Sequence, residues 1–400
     1  MKSVLAICGA GNAGHALAVA ASRNPEYDIV WLVRSEEKAQ LLRDGVFGDG
    51  LRSTGAIQAL AGAVRAISAD PAEIVPDADI VILAVPAYAH APILQRIAPH
   101  LKRNAVIGAI PSRGGFEFEV AHLVTGIEPN GERIIFGLQT LPWSTRVQEP
   151  GRSVNFGAIK AKVLMATRPA HHACRLATML SDLLGTEIAP TDGFLNMTLG
   201  NPGQIVHPGL MYGLFHSWNG EHYTEGTIPR LYADATDEIG VFVESLSADA
   251  VAVAARIESE SAGSLDLSGV LPVLEWLRIS YPTQTADTTT VATCFRTGPI
   301  QVRKAPVLQI GPDAFVPNFQ YRYLSEDIPY GLAVTKAIAN LADVRTPAVD
   351  AVLQWANGHG VGLDARSLPI PQNYGIRTLR GLLDAYVNES AGSPLVAWAV

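Results

Sequence analysis

The strongest constraint on this chain lies in its first thirty-five residues. Ser3 to Cys8 is a short apolar run, suited to a strand buried on both faces, and it leads directly into Gly9-Ala10-Gly11-Asn12-Ala13-Gly14. His15 to Arg23 follows, rich in Ala and Leu and helix-like, and a second apolar run occupies Ile29 to Val33. Strand, Gly-x-Gly-x-x-Gly, helix and strand in this order form the fingerprint of a Rossmann dinucleotide-binding unit. On this reading Gly9 allows the tight turn, Gly11 lets backbone approach a pyrophosphate, and Gly14 lets helix and strand pack closely. Asn12 and Ala13 open the helix, whose N–H groups and positive dipole end face the phosphates. A plain tight turn is the competing reading, and the flanking elements argue against it.

The end of the second strand bears on which nucleotide is bound. NAD sites usually place an acid about 20 residues after the glycines, to accept from the ribose 2′-OH. Here the position carries Arg34, followed by Ser35 and Lys38. A guanidinium fork and a nearby ammonium attract a 2′-phosphate that an acid would repel. Glu36 and Glu37 lie in the same stretch, so a solvated loop of mixed charge is the alternative. NADP(H) is expected over NAD(H), which stays open. Ala78 to Pro86 reads as a further strand, with Val85 and Pro86 at the edge where a cofactor lies. Ala105 to Ile110, Ile134 to Leu138 and Lys162 to Ala166 continue the pattern, so the first domain closes near residue 190.

From Thr191 the texture becomes helical, as in Ile228 to Ile257, and strand-like alternation is scarce. The expected class is α/β, in two parts. An N-terminal Rossmann NADP(H)-binding domain spans 1–190, and a mostly α-helical substrate and catalytic domain spans 191–400. The second is entered through a helix around His171 to Leu184, with the hydride acceptor in the cleft between the two.

Composition removes several classes of function. Net charge is −8 and no basic run appears, so neither nucleic acid nor an anionic membrane is an expected partner. Cys8, Cys174 and Cys294 are far apart, without a Cys-x-x-Cys pair. No zinc site or disulfide framework is expected, and a reducing cytoplasm fits. Met1-Lys2 and the apolar residues after it imitate an export signal, but Gly9, Gly11, Asn12 and Gly14 weaken such a helix. The apolar stretches are too short or too interrupted by Pro86 and Pro92 to span a bilayer. A homodimer is compatible with the sequence, which does not fix oligomeric state.

Two segments of the second half carry most of the chemistry: Asn201-Pro202-Gly203-Gln204-Ile205-Val206-His207-Pro208-Gly209, and Arg322-Tyr323-Leu324-Ser325-Glu326-Asp327-Ile328-Pro329-Tyr330-Gly331-Leu332. Together with the glycine fingerprint and Leu141-Pro142-Trp143-Ser144-Thr145-Arg146, they resemble the opine dehydrogenase family, that of octopine and nopaline dehydrogenases and their bacterial relatives. The resemblance covers most of the chain, and Thr346-Pro347 adds to it. It implies an NAD(P)-dependent oxidoreductase acting on CH–NH groups. Such an enzyme condenses a 2-keto acid, pyruvate or a relative, with the amino group of an amino acid and reduces the imine. It also implies that His207 is the catalytic acid/base, that Asp327 pairs with it, and that Arg322 holds a substrate carboxylate.

Elementary chemistry agrees with these roles. Imidazole exchanges protons near neutral pH, a carboxylate on its other nitrogen fixes the tautomer, and a planar guanidinium grips a carboxylate with two parallel bonds. Arg322 and Asp327 are five residues apart, about 140° around a regular helix, so they meet one ligand only in an irregular segment. Pro329 and Gly331 make such irregularity plausible. The bland alternatives are a helix cap for His207 before Pro208 and a surface ion pair for Arg322 and Asp327. Asn201 is a substrate or nicotinamide contact, or else a cap before Pro202. Arg146, read with Glu149 as lying after a strand end, is a substrate contact or an exposed loop charge. His171-His172 reads as solvated, and His216 and His222 as packing around Trp218 and Tyr223, with a substrate-facing wall as the alternative; no metal site is expected.

Two rival functions remain. A dehydrogenase acting on a hydroxyl, of the ketopantoate reductase or 2-hydroxyacid kind, commonly relies on a lysine early in the helical domain, and none occurs between Lys162 and Lys304. A non-catalytic NADP(H)-sensing protein would not require His, Asp and Arg together. No residue identifies the keto acid, the amine or the product stereochemistry.

Overall fold

The computed structural model describes residues 2–124 and 133–390. The chain divides into two compact units, one of Met1–Met197 with Asp384–Val400, the other of Thr198–Leu383.

The strands of the first unit are β1 (Ser3–Cys8), β2 (Tyr27–Leu32), β3 (Arg52–Gly55), β4 (Val64–Ser68), β5 (Ile80–Leu83), β6 (Val106–Ala109), β7 (Ile135–Leu138), β8 (Trp143–Glu149), β9 (Ser153–Ile159), β10 (Lys162–Arg168) and β11 (Glu187–Pro190). Its helices are α1 (Asn12–Ser22), α2 (Glu36–Arg43), α3 (Pro71–Ile74), α4 (His90–Ile97), α5 (Phe116–Leu123) and α6 (Ala173–Leu184). Eight strands form one sheet in the order β11-β10-β7-β6-β5-β1-β2-β4. The run β4-β2-β1-β5-β6-β7 is parallel throughout and has the 3-2-1-4-5-6 order of a doubly wound dinucleotide-binding sheet. Helices on both faces of such a sheet require strands apolar on both sides, and β5 and β6 are buried along their whole length.

Register fixes the functional edge. Cys8 lies opposite both Leu32 and Leu83, so Gly9, Val33-Arg34 and Ala84-Val85 leave the sheet at one level, where the strand order reverses. That switch point is where ligands bind in open α/β sheets. A smaller sheet, β3-β9-β8, belongs to the same unit.

The helix near 171–184 does not lead into the helical half, as its position after the last expected strand suggests. Helix α6 packs on β10 and β11, because Leu176, Leu180, Leu183 and Leu184 form one apolar stripe buried in the sheet's core. The first unit also regains chain at the far end. Tyr386, on α15 (Leu379–Ser390), is buried and its hydroxyl donates to Glu117 of α5.

Between these, α7 (Leu195–Leu199) precedes the elements of the second unit: α8 (Pro202–Phe215), α9 (Asp237–Glu260), α10 (Val273–Ser280), α11 (Val291–Thr297), α12 (Arg322–Ser325), α13 (Ala333–Leu341) and α14 (Pro347–Gly358). Leu210, Met211, Phe215, Val243, Leu246, Val349 and Val352 bring α8, α9 and α14 into one core. The long helix begins at Asp237 instead of Ile228. Pro229 disfavours an earlier start, and the Thr236 hydroxyl caps it by accepting from the Ile239 N–H at 3.3 Å. The second half also holds a hairpin, β12 (Val307–Gly311) with β13 (Ala314–Pro317), that helical texture does not announce. Among the described residues no helix is long and apolar enough to cross a membrane, and no group of His, Cys, Asp and Glu is arranged to hold a metal.

Candidate functional site

The glycine loop sits between β1 and α1, at the sheet's switch point. Gly9 has φ +118°, and a Cβ there would stand 2.4 Å from Val85 Cγ1. A Cβ on Gly14 would stand 2.0 Å from the Gly9 carbonyl oxygen. Both glycines are therefore demanded by the protein's own packing. Gly11 differs: a Cβ there would meet nothing within 4 Å, so space lies open beside the backbone at the start of α1. No side chain caps this helix N-terminus. Open room, free helix-end amides and a positive dipole end suit a pyrophosphate. Val85 and Pro86 follow β5 on the same edge, and Val85 touches the loop at Gly9. Ala13 lies in the first turn of α1, and the Asn12 Oδ1 accepts from the Val147 N–H at 2.8 Å.

Arg34 is exposed just beyond β2 and forms no ion pair among the described residues. Ser35 caps α2, its hydroxyl accepting from the Lys38 N–H at 3.3 Å, and Lys38 is half-buried in the first turn. Of the two nearby acids, Glu36 is paired with Arg43.

The second cluster lies wholly in the second unit. His207 is not a helix cap but an interior residue of α8, whose N-terminus is capped by Asn201 accepting from the Gly203 N–H at 2.9 Å. Asn201, 2% exposed, thus acts as the cap its place before Pro202 allows. The His207 Nδ1 lies 2.8 Å from Asp327 Oδ2, with Asp327 1% exposed. Tyr323 stacks on the imidazole face, ring centroids 3.9 Å apart and planes within 19°. The Arg303 guanidinium donates to the Tyr323 hydroxyl at 2.6 Å, and burial pushes that phenol's pKa up, keeping it protonated.

Irregular backbone achieves this. α12 lasts one turn, Arg322–Ser325, and a wider turn follows at Ile328–Leu332, where Pro329 lacks an N–H. Asp327 therefore reaches His207, while the exposed Arg322 turns its Nε to the buried Glu326, Oε2 at 3.4 Å. Gln204, one turn before His207, donates to the carbonyls of Thr198 and Leu199, each at 3.1 Å, and anchors α8.

Arg146 lies in β8, paired with Asn155 of β9, so it is a strand residue rather than one following a strand end, and it is exposed. Glu149 ends the same strand and pairs with Arg152. His15, Trp31, Tyr323, Arg303 and Glu326 shape the two clusters without having been assigned a role from the sequence. His15 carried a signal, a lone imidazole in an Ala- and Leu-rich helix, and Tyr323 and Glu326 lie within the Arg322–Leu332 segment; Trp31 and Arg303 carried none.

Residues 190–359 match the family described as NAD/NADP octopine/nopaline dehydrogenase, alpha-helical domain, and residues 4–111 match the one described as NADP oxidoreductase coenzyme F420-dependent. The tauropine dehydrogenase of Arabella iricolor is 29% identical, over 95% of this chain and 100% of its own. The opine dehydrogenase of Haliotis discus hannai is also 29% identical, over 97% and 99%. Solved octopine dehydrogenase, with NADH and L-arginine, superposes with a TM-score of 0.82 at 25% identity, covering 96% of this chain and 98% of that one. The same enzyme with NADH and pyruvate gives 0.80. The helical half thus matches the octopine/nopaline dehydrogenase domain, and over nearly its whole length the chain is similar to tauropine, opine and octopine dehydrogenases.

Proposed function

We propose that this chain is an oxidoreductase of the opine dehydrogenase family and joins the amino group of an amino acid to the carbonyl carbon of a 2-keto acid such as pyruvate, with NADPH as reductant. The observation that carries the proposal is the 2.8 Å pairing of His207 with buried Asp327, on the segment that also presents the exposed Arg322. Bound nicotinamide dinucleotide supplies the hydride that reduces the C=N carbon. Arg322 grips the keto acid's carboxylate through two parallel N–H bonds. Asp327 accepts from the His207 Nδ1–H and stabilises the imidazolium, so proton exchange falls to Nε2. That nitrogen takes a proton from the incoming ammonium, which frees the lone pair that attacks the carbonyl. The adduct's nitrogen passes a proton to the new alkoxide, and Nε2 gives its proton to the resulting hydroxyl, which departs as water and leaves the protonated imine for reduction. In this scheme Asn201 acts by setting the pitch of α8, and Arg146 is a further contact for a substrate carboxylate.

The cofactor falls to the first unit, through the glycine loop with Val85 and Pro86. Preference for the 2′-phosphate rests on Arg34, level with the loop and unpaired among the described residues, with Lys38 in support and Glu36 neutralised by Arg43. The octopine dehydrogenase structures hold NADH, so this preference distinguishes the present chain from them. The test is loss of reduced-nicotinamide absorbance with pyruvate and a set of amino acids. NADPH is expected to be consumed only when keto acid and amine are both present, with a higher kcat/KM than NADH. Consumption with pyruvate alone would mean hydroxyl chemistry, and saturable binding without turnover would mean a sensor.

A further inference from the structure

His15 is fully buried in α1, and both its ring nitrogens are engaged by backbone, one of them at the Gly11 carbonyl that also accepts the His15 backbone N–H at 3.1 Å. Its Nδ1 lies 2.9 Å from the Gly11 carbonyl oxygen, and its Nε2 accepts from the Gly151 N–H at 2.9 Å. The second bond requires an unprotonated Nε2, so the proton sits on Nδ1 and is donated to Gly11. Burial pushes the imidazole pKa down to about 4, which keeps this neutral tautomer in place. The ring meets Trp31 edge-on, at 5.0 Å and 76°. The Trp31 Nε1–H in turn donates to the Gly9 carbonyl at 2.7 Å. Two side chains thus hold the carbonyls of the two glycines of one Gly-x-Gly turn.

We propose that His15 and Trp31 are positioning residues of the cofactor loop, aiming its amide N–H groups at the dinucleotide's pyrophosphate by holding the carbonyls of Gly11 and Gly9. The proposal rests on the nicotinamide dinucleotide reading of the first unit. In a trans peptide the C=O and N–H point in opposite directions. Fixing the Gly9 carbonyl therefore directs the Ala10 N–H away from Trp31, and fixing the Gly11 carbonyl directs the Asn12 N–H away from His15. A buried imidazole costs desolvation that an alanine or leucine in α1 would not, and the two hydrogen bonds offset it. His15 also ties the loop to the turn between β8 and β9, which the Asn12–Val147 bond fastens a second time. Loop and hairpin therefore move as one body, and the phosphate-binding amides stand preorganised before a ligand arrives.

The test uses the full chain with His15→Phe, His15→Asn and Trp31→Phe. Each is followed by fluorescence titration with NADPH and NADH and by melting temperature. Phenylalanine at 15 keeps the edge contact with Trp31 and removes both hydrogen bonds. Asparagine offers an amide N–H near the former Nδ1, restoring the bond to Gly11 while losing that to Gly151. His15→Phe and Trp31→Phe are expected to raise the dinucleotide Kd about ten-fold, and His15→Asn to recover most of the loss. A purely structural role would lower the melting temperature of all three and leave the Kd of the folded protein unchanged, which would overturn the proposal. So would His15→Asn binding as weakly as His15→Phe. If His15→Phe does not fold, the Kd of folded Trp31→Phe decides the matter, since that variant removes the N–H to Gly9 together with part of the buried ring. Wild-type protein that binds neither dinucleotide would instead remove the cofactor reading itself.

Discussion

The imidazole of His207 is constrained from two directions, by the Asp327 carboxylate at its edge and the Tyr323 ring over its face. Such a group can exchange protons without searching for its orientation, which is where positioned acid–base catalysis gains its rate. His207→Ala is predicted to lower kcat by roughly 10²–10⁴-fold, and Asp327→Asn by a similar order. The asparagine amide permits the wrong tautomer and no longer supports the cation. Because the two act together, the double variant is expected to be little worse than either alone, with NADPH affinity retained in all three. Rates per folded molecule check this; independent, additive losses contradict it. The His207–Asp327 pairing was legible because the sequence places suitable groups in two segments with a family likeness, and Arg322 shares the second of them. Glu326 and Arg303 were not, since each gains meaning only from a tertiary neighbour that spacing does not specify.

At the scale of elements, the short α12 and the wide turn after it matter more than any regular helix. The turn packs against α8 at Gly331, where a Cβ would stand 2.6 Å from Gln204 Cβ. Gly331→Ala should therefore push the turn away from α8 and carry Asp327 off His207. The expected result is destabilisation of about 1–3 kcal/mol by overpacking, with lost turnover and unchanged NADPH affinity. Thermal melting and single-turnover rates check it, and normal turnover in the folded variant contradicts it. Pro329 and Gly331 announced irregularity here, and six of the eight strands of the large sheet announced themselves equally well, whereas β4 and β11 did not. The β3-β9-β8 sheet did not, because β3 is four residues long and mostly exposed. The hairpin of β12 and β13 was hidden for the same reason: three of the five residues of β12 are exposed, so no buried face imposes alternation. Helix α6 was visible as a helix, but its assignment to the sheet depended on which core its leucine stripe entered.

For the molecule as a whole, buried ionisable groups in the first unit set how stability follows pH. Burial raises the carboxyl of Glu119 from 4.5 to about 8 and that of Glu117 to about 6. It lowers the imidazole of His90 from 6.5 to about 3 and that of His15 to about 4. The histidines make the unfolded chain bind more protons than the folded one below 6.5, so their contribution to stability grows up to that pH. The acids act in the opposite sense. Between 6.5 and about 8, of these four groups only Glu119 still holds a proton that the unfolded chain has released, so stability falls as pH rises. Glu119→Gln, neutral in both states, should flatten that fall in melting temperature, at about 2–4 °C per kcal/mol; an unchanged slope contradicts the assignment. The central claim concerns the bond that the whole enzyme makes. The most direct measurement is mass spectrometry of the product formed from NADPH deuterated at the transferred position, pyruvate and the best amino-acid substrate. The account predicts a secondary amine that joins both carbon skeletons and carries the deuterium on the former keto carbon. Deuterated lactate, with the amino acid recovered unchanged, would contradict it.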